Sequence, residues 1–422
     1  MGRPPDERLV CIHYYCKTCG KGYKKPDSLD LELYRKAEID FIEIEKALPI
    51  PNEKIRVSAK DIRPVNYGFK SFYELFNKRQ LLCLGLLLKE ILSIRDQNTK
   101  EFFLLAFSAS LETNNRLAKY ESKWGKVMPL FTVPGFSVTG RYAENNVWGS
   151  RYGRGSFLKR YSKLKKAKLQ FRSEIVRLFG EDALSAQRQA VALRCSSSEK
   201  MPLVKSKSVD LVLTDPPYFD NIDYSRLADF FYVWLRIGLK EKYSWFQPHH
   251  SSRKKEVTAV RSEEGIRSFT NQLCGVFKES YRVLKDDGVL VFTFHHTFWA
   301  AWLALKKALE EAGFKVVATH IVRSEGVTGF RKKGRINHDA CIVCRKAMTP
   351  QTKKSSVDAQ IVAKEIAEHV AEKVAKLLRL NGGLTDADLK LFIYTEAMMY
   401  NYQTVSSLDI LNIANLIKKI QK

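Results

Sequence analysis

An Asp-Pro-Pro-Tyr motif begins at Asp215, directly after the apolar, strand-like segment 209–214. An exocyclic amine on adenine or cytosine is a poor nucleophile because its lone pair is delocalised into the ring, and two acceptors, one for each amine hydrogen, would free that lone pair. The carboxylate of Asp215 and the carbonyl of Pro216 are suitable acceptors, and Pro216 and Pro217 would hold the loop in one shape. Tyr218 offers a flat face for an extruded base. The motif therefore predicts an amine-binding site, although Asp-Pro-Pro can also simply end a strand.

Strands alternate with helices around this motif. Apolar runs predict strands and periodic apolar residues predict helices. The predicted strands are 191–195, 209–214, 288–296, 314–322 and 340–346, and the predicted helices are 226–239, about 263–283, and 297–313. This order is typical of a mostly parallel α/β sheet with helices on both faces, in which ligands bind beyond the carboxyl ends of the strands.

Four regions differ in composition. Residues 1–60 contain a cysteine pair and a linker helix, and residues 61–190 read as a helical insertion with a basic stretch. Residues 191–346 form the predicted catalytic region. Residues 347–422 combine a linker with C-terminal helices.

The chain is strongly basic, with 422 residues, a formal net charge of +25 and a hydrophobic content of 45%. Such a charge predicts a polyanionic partner, most commonly nucleic acid, while a cationic protein of the membrane surface is the rival class. No apolar run is long enough to span a bilayer and the amino terminus has no signal-like apolar region, so we expect a cytoplasmic protein. Without a secretion signal, the eight cysteines suggest free thiols or metal ligands.

The most basic stretch is 151–172, which has nine Lys or Arg residues, no acid and interleaved aromatic residues. Cations can contact phosphates and aromatic rings can stack on bases, so we expect a nucleic-acid groove. The alternative is a solvated helix face whose aromatic residues pack inward. The predicted phosphate contacts are Arg151, Arg154, Lys159, Arg160, Lys163, Lys165, Lys166 and Lys168, with Arg331, Lys332 and Lys333 in a second basic loop.

A zinc-knuckle spacing occurs at CKTCG, residues 16–20. Cys16 and Cys19 are the candidate ligands of a zinc ion, and a structural site needs two more. Cys11 or His13 could complete the site, another chain could do so, or the site could be empty. The other pair with this spacing, in ACIVCRK at 340–346, falls on a predicted strand, where alternation would point the two thiols to opposite faces.

The run DPPYFDNIDYSRLADFFYVWL resembles the zinc-ribbon-containing family of adenine-specific DNA methylases, whose Asp-Pro-Pro-Tyr motif serves amino-group methyl transfer from S-adenosylmethionine. The resemblance extends to NYGFKSFYELFNKRQL, RYAENN and GVLVFTFHHT. It implies a Rossmann-like methyltransferase sheet and gives Asp215 to Tyr218 the amine-binding and stacking roles. It also implies that Asp220, Asn221 and Tyr224 shape the same pocket.

Some neighbours of the motif have alternative interpretations. Phe219 stands where that family often has Tyr. His295 and His296 end the next predicted strand and could line the pocket, or could be satisfied polar groups of the fold. Asp223 is interpreted as a helix cap whose side chain accepts from backbone amides.

The resemblance also shows a departure, because the Phe-x-Gly-x-Gly loop that approaches S-adenosylmethionine is not found. YGRGS at 152–156 is interpreted as a basic turn. The chain resembles the carboxyl-terminal part of the longer family proteins, starting inside the ribbon. A partner chain that carries the cofactor loop is therefore expected, and a degenerate remnant is the alternative.

Three hypotheses follow for the function. The first is an adenine N6 DNA methyltransferase, since enzymes acting on cytosine N4 more often have Ser in place of the first Asp. The second is a noncatalytic DNA-binding subunit of the same fold. The third is an RNA methyltransferase, because the chemistry is shared and positive charge does not distinguish the two polymers.

Overall fold

The computed structural model divides into two compact units. The first unit comprises Met1–Glu174 and Asp223–Glu256, and the second comprises Ile175–Ile222 and Val257–Lys422. The structure describes residues 6–57, 62–132, 135–136, 142–149, 154–170, 195–220, 222–253, 256–324, 336–347, 358–379 and 384–420. No helix in these ranges is both long enough and apolar enough to cross a membrane.

The described part of the first unit is mainly helical and also contains two short hairpins. Its helices are α1 (Ser28–Ile44), α2 (Arg63–Asn66), α3 (Lys78–Ser93), α4 (Gln97–Leu111), α5 (Phe157–Gln170) and α6 (Tyr224–Leu239). Its hairpins are formed by β1 (Ile12–Cys16) with β2 (Gly20–Lys24), and by β3 (Lys119–Glu121) with β4 (Lys126–Met128). Helix α6, which the sequence places in the catalytic region, packs within this unit, where Phe230 stacks on Phe76 and Trp234 meets the same ring edge-on.

The second unit holds the sheet that ends in the Asp-Pro-Pro-Tyr motif. Its strands are β5 (Val209–Thr214), β6 (Leu284–Phe294), β7 (Phe314–Arg323) and β8 (His338–Lys346). Its helices are α7 (Glu263–Val283), α8 (Trp299–Glu311), α9 (Ala359–Arg379), α10 (Asp386–Ala397), α11 (Tyr402–Ser406) and α12 (Ile410–Ile420). The four predicted strands in the described residues and the helices between them are therefore confirmed, whereas most of the strand predicted at 191–195 lies outside the described residues.

The described sheet is mixed, with strand order β5-β6-β8-β7. Only β5 and β6 pair in parallel, while β8 runs antiparallel to both β6 and β7. The prediction of a mostly parallel sheet is thus wrong for these strands. β8 follows β7 along the chain yet inserts between β6 and β7, so its direction is set by long-range pairing.

One face of the sheet is deeply buried. Alternate residues of β6, among them Phe292 and Phe294, are fully buried and contact Phe277 of α7 and Trp302 of α8. The C-terminal helices extend this core, since Tyr394 of α10 lies against Trp302. These C-terminal helices therefore belong to the core that supports the sheet.

The opposite face is more open at β5. Among the described strands β5 has a neighbour on one side only. Leu211 and Leu213 are 53% and 72% exposed, whereas Val212 between them packs against the core. Apolar side chains on an edge strand invite pairing with a further strand.

Candidate functional site

The Asp-Pro-Pro-Tyr motif lies at the carboxyl end of β5, beside the end of the parallel strand β6. Asp215 is exposed, and its Oδ1 accepts hydrogen bonds from the Tyr218 hydroxyl at 2.6 Å and the Thr293 hydroxyl at 2.8 Å. The two hydroxyl oxygens are 2.9 Å apart. These bonds orient the carboxylate, and its Oδ2 has no hydrogen-bond partner among the described residues.

The ring of Tyr218 is half-buried and held edge-on by two neighbours. Its centroid lies 5.5 Å from that of Phe294 and 4.5 Å from that of His295. Burial, together with the hydrogen bond to Asp215, raises the pKa of the Tyr218 phenol. The hydroxyl therefore stays protonated and keeps donating to the carboxylate.

The motif continues into a strained turn at Phe219. Phe219 adopts a left-handed conformation with φ of 55°, which costs an ordinary L-residue about 1–2 kcal/mol. Its carbonyl accepts a hydrogen bond from the Ala259 amide at 3.1 Å, and its fully buried ring meets Phe269 edge-on at 5.0 Å. These apolar surroundings are consistent with Phe at this position, since a buried tyrosine hydroxyl would need its own partner.

A three-residue clamp, Asp220–His296–Arg261, holds the far end of this turn. His296 Nε2 is 2.8 Å from Asp220 Oδ1, and Arg261 Nε donates to Asp220 Oδ2 at 2.6 Å. The Phe298 amide donates to His296 Nδ1 at 3.0 Å, so Nε2 carries the hydrogen of a neutral imidazole and donates to Asp220. Burial lowers the pKa of His296, in agreement with this arrangement. Burial alone would raise the pKa of the Asp220 carboxyl, but the hydrogen bonds from Arg261 and His296 outweigh it and lower that pKa.

The two histidines therefore occupy different environments. His296 is buried in the clamp and corresponds to the second of its two interpretations, a satisfied polar group of the fold. His295 is part-exposed beside Tyr218, and its Nδ1 is hydrogen-bonded to Asp339 at the start of β8. Of the two, His295 is the one placed at the motif.

Residues 209–382 match the DNA methylase family model. We call these residues the DNA methylase region. The match begins at β5 and includes every residue of the site described above, and it supports DNA amino-methyltransferase activity at adenine or cytosine. No curated protein matches the chain.

The DNA methylase region also contains the predicted pocket residues Asn221 and Tyr224 and the predicted helix cap Asp223. Asn221 lies outside the described residues, and Tyr224 is the exposed first residue of α6 in the first unit. Asp223 is the N-cap residue of α6, but its side chain makes no capping hydrogen bond. The prediction for Asp223 is therefore wrong, and the Ser225 amide instead donates to Glu256 at 3.1 Å.

Part of the basic stretch forms α5, in which the lysine side chains and the aromatic side chains lie on different faces of the helix. The lysines are exposed, whereas Phe157 and Tyr161 stack on Phe103 of α4. The expectation that these rings stack on bases is wrong for this pair. The predicted cations that are exposed are Arg154, Lys159, Lys163, Lys165, Lys166 and Lys168. Arg160 is part-buried, and its Nη2 lies 3.9 Å from Glu112 Oε2. The residues that fall outside the described ranges are Arg151, Arg331, Lys332 and Lys333.

Gly155, just before α5, has a structural role. The Gly155 carbonyl accepts hydrogen bonds from the side chains of Thr113 and Asn114, at 2.7 and 3.0 Å. Gly155 has φ of 80°, and a side chain there would collide with Thr113. The described part of YGRGS is therefore a packed turn, consistent with our interpretation of it.

The cysteine pair lies at the β1–β2 turn. The Thr18 amide donates to Cys16 Sγ at 3.4 Å, and bonds from the backbone of Cys19 and Thr18 lower the pKa of Cys16 to about 7. The described residues contain no group of three or more potential metal ligands, so neither Cys11 nor His13 completes a zinc site there. In β8, Cys344 is buried and Cys341 points to the more open face, as alternation predicted.

Sequence reasoning missed three partners of the site: Thr293, Arg261 and Asp339. Thr293 did carry a signal, because it is the one hydroxyl residue within the run GVLVFTF beside the motif strand. Arg261 and Asp339 carried none, since only the folded chain brings them to Asp220 and His295.

Proposed function

We propose that the DNA methylase region transfers a methyl group from S-adenosylmethionine to the N6 amine of adenine in DNA. The observation that carries the proposal is the Asp215 carboxylate, fixed on one oxygen by two hydroxyls and open on the other. Such a group is preorganised to accept one amine hydrogen, so little ordering remains for substrate binding. The Asp at the first motif position supports adenine over cytosine.

The remaining motif residues supply the second acceptor and the stacking surface. The Pro216 carbonyl takes the other amine hydrogen, and Tyr218 presents its ring to the extruded base. S-adenosylmethionine would supply an electrophilic methyl group. Transfer would form the new N–C bond as the sulfur–methyl bond breaks, and Asp215, which accepts one amine hydrogen, would take the proton that the amine loses.

Among the described residues, no strand is followed by a glycine-rich loop of the kind that binds S-adenosylmethionine. We therefore infer that a partner chain carries that loop and extends the sheet at β5. The exposed Leu211 and Leu213 support this inference, because a neighbouring strand and its helices would cover them.

DNA contacts are proposed for the exposed lysines of α5. All five, Lys159, Lys163, Lys165, Lys166 and Lys168, form no ion pair among the described residues. They are therefore available to phosphates, which give affinity without sequence preference.

The identity of the methylated nucleoside tests the proposal. The tagged full-length chain would be purified from its native host, so that any partner is retained, and incubated with unmethylated DNA and methyl-tritiated S-adenosylmethionine. We expect label in N6-methyladenine after digestion to nucleosides. Label in N4-methylcytosine would contradict the adenine assignment, label only in RNA would favour the RNA methyltransferase, and no label with retained DNA binding would favour the noncatalytic subunit.

The partner inference has a separate test. Calorimetry should detect no S-adenosylmethionine binding to the chain produced alone, and one site per chain in the native-host preparation. Leu213→Asp should abolish binding in that preparation, whereas Val322→Asp on β7, also an exposed apolar position, should not. One-site binding by the chain alone would refute the need for a partner.

A further inference from the structure

We propose that the β1–β2 and β3–β4 hairpins of the first unit form a binding surface for single-stranded nucleic acid. The two hairpins make one continuous surface. The ring of His13 stacks on Tyr23 at 4.6 Å, and the Tyr23 and Tyr120 hydroxyls are hydrogen-bonded across the hairpins. Gly125, at the β3–β4 turn, lies close to residues of both hairpins, since a β-carbon there would be 3.7 Å from the Tyr120 hydroxyl and 3.9 Å from the His13 ring.

This surface presents aromatic rings to solvent. Tyr23 is 57% exposed and Trp124, next to the Gly125 turn, is 47% exposed. Lys126 lies over the Trp124 ring, 4.6 Å from its centroid, and helps to fix its orientation. Exposed planar rings held on short hairpins can stack on bases, and every base offers a suitable face.

Cations surround these rings. Residues 11–25 contain four lysines and no acid, and residues 119–128 contain three lysines and one acid, Glu121. Lys24 is paired with Asp27 and Asp30. The others, Lys17, Lys21, Lys25, Lys119, Lys123 and Lys126, form no ion pair among the described residues. Uncompensated lysines next to exposed rings match a polymer of phosphates and bases.

The contrast with α5 indicates the form of the nucleic acid. In α5 the lysines are exposed but Phe157 and Tyr161 pack inward, so that helix offers contacts to phosphates alone. The hairpins offer phosphate contacts and rings together. Bases in a duplex are already stacked on each other, so only unpaired bases can use Tyr23 and Trp124. Single-stranded DNA and RNA share this chemistry.

Fluorescence anisotropy on the full-length chain tests the surface without any need for methyl transfer. The probes are a labelled 20-nucleotide DNA strand of mixed sequence, the RNA of the same sequence, and the DNA duplex. We expect Trp124→Ala to weaken single-strand binding about tenfold, the loss of one stacked base, with little change for the duplex. Trp124→Phe keeps a ring and should restore most of the affinity.

Matched controls make the result specific. Trp245→Ala removes a tryptophan of the same unit that is 48% exposed and should leave single-strand binding unchanged. Lys21→Gln with Lys123→Gln should make the plot of log affinity against log salt concentration less steep, by about 0.7 for each phosphate that the variant no longer neutralises. Weaker binding of DNA, RNA or both supports the surface and identifies the strand it takes. Wild-type affinity of Trp124→Ala for both strands, or an equally weakened Trp245→Ala, would overturn it.

Discussion

Asp220→Ala should destabilise the second unit mainly through His296 rather than through Arg261. The substitution leaves the buried Nε2 hydrogen of His296 without an acceptor, which costs about 1–3 kcal/mol. The pair with Arg261 adds only about 0–1 kcal/mol, because that side chain is largely exposed and screened by solvent. A total of about 2 kcal/mol corresponds to a lower melting temperature by about 4–8 °C for a unit of this size.

Two variants separate these contributions. Asp220→Asn keeps an oxygen that accepts from His296, and Arg261→Gln removes only the exposed partner, so each should cost about 1 kcal/mol or less. Calorimetry would give the melting shift. Hydrogen exchange of the Ala259 amide, which donates to Phe219, would show whether the turn itself opens. Equal costs for Arg261→Gln and Asp220→Ala, or a neutral Asp220→Ala, would refute this account of the clamp.

Three further predictions follow from the same geometry. Thr293→Val should lower kcat about tenfold, because it loses a hydrogen bond of about 1.4 kcal/mol to Asp215, and DNA affinity should not change. Thr293→Ser keeps the hydroxyl and should be nearly normal. Full activity of the Val variant would mean that Thr293 has no role in the site. The pKa of His296 in the folded chain lies below the unfolded value of about 6.5, so below that pH the unfolded chain binds more protons and the free energy of unfolding should fall as the pH falls. In urea titrations, His296→Gln should make the free energy of unfolding depend less on pH. An unchanged pH dependence would contradict the neutral imidazole. Neutralising the three lysines of 163–166 should weaken DNA binding at all sequences and lessen its salt dependence, whereas an unchanged salt slope would mean that this face does not meet DNA.

Local patterns predicted the elements that carry the motif. The apolar run ending at Thr214 and the prolines after it indicated a strand end, and the structure has one there. The inward packing in α5 could also have been predicted, since Phe157, Tyr161 and Leu164 recur at helical spacing among the lysines.

Features that depend on distant segments were not predictable from one sequence. β8 lies between β6 and β7, antiparallel to both, and this placement depends on its pairing with strands that are distant in the sequence. The left-handed turn at Phe219 is stabilised by Ala259 and Phe269, which lie about 40 and 50 residues further along the chain. Asp223 was predicted to cap α6 because it precedes the first residue of that helix, but its side chain makes no capping hydrogen bond.

The most direct test of the central claim is single-turnover methyl transfer to DNA by the native-host preparation carrying Asp215→Ala, compared with Asp210→Ala. Asp210 is an exposed carboxylate on the same strand, bonded to Lys285, and serves as the matched control. We expect that Asp215→Ala loses methyl transfer while S-adenosylmethionine and DNA still bind, and that Asp210→Ala turns over normally. Wild-type transfer by Asp215→Ala would contradict the assignment of Asp215 as the acceptor of the target amine.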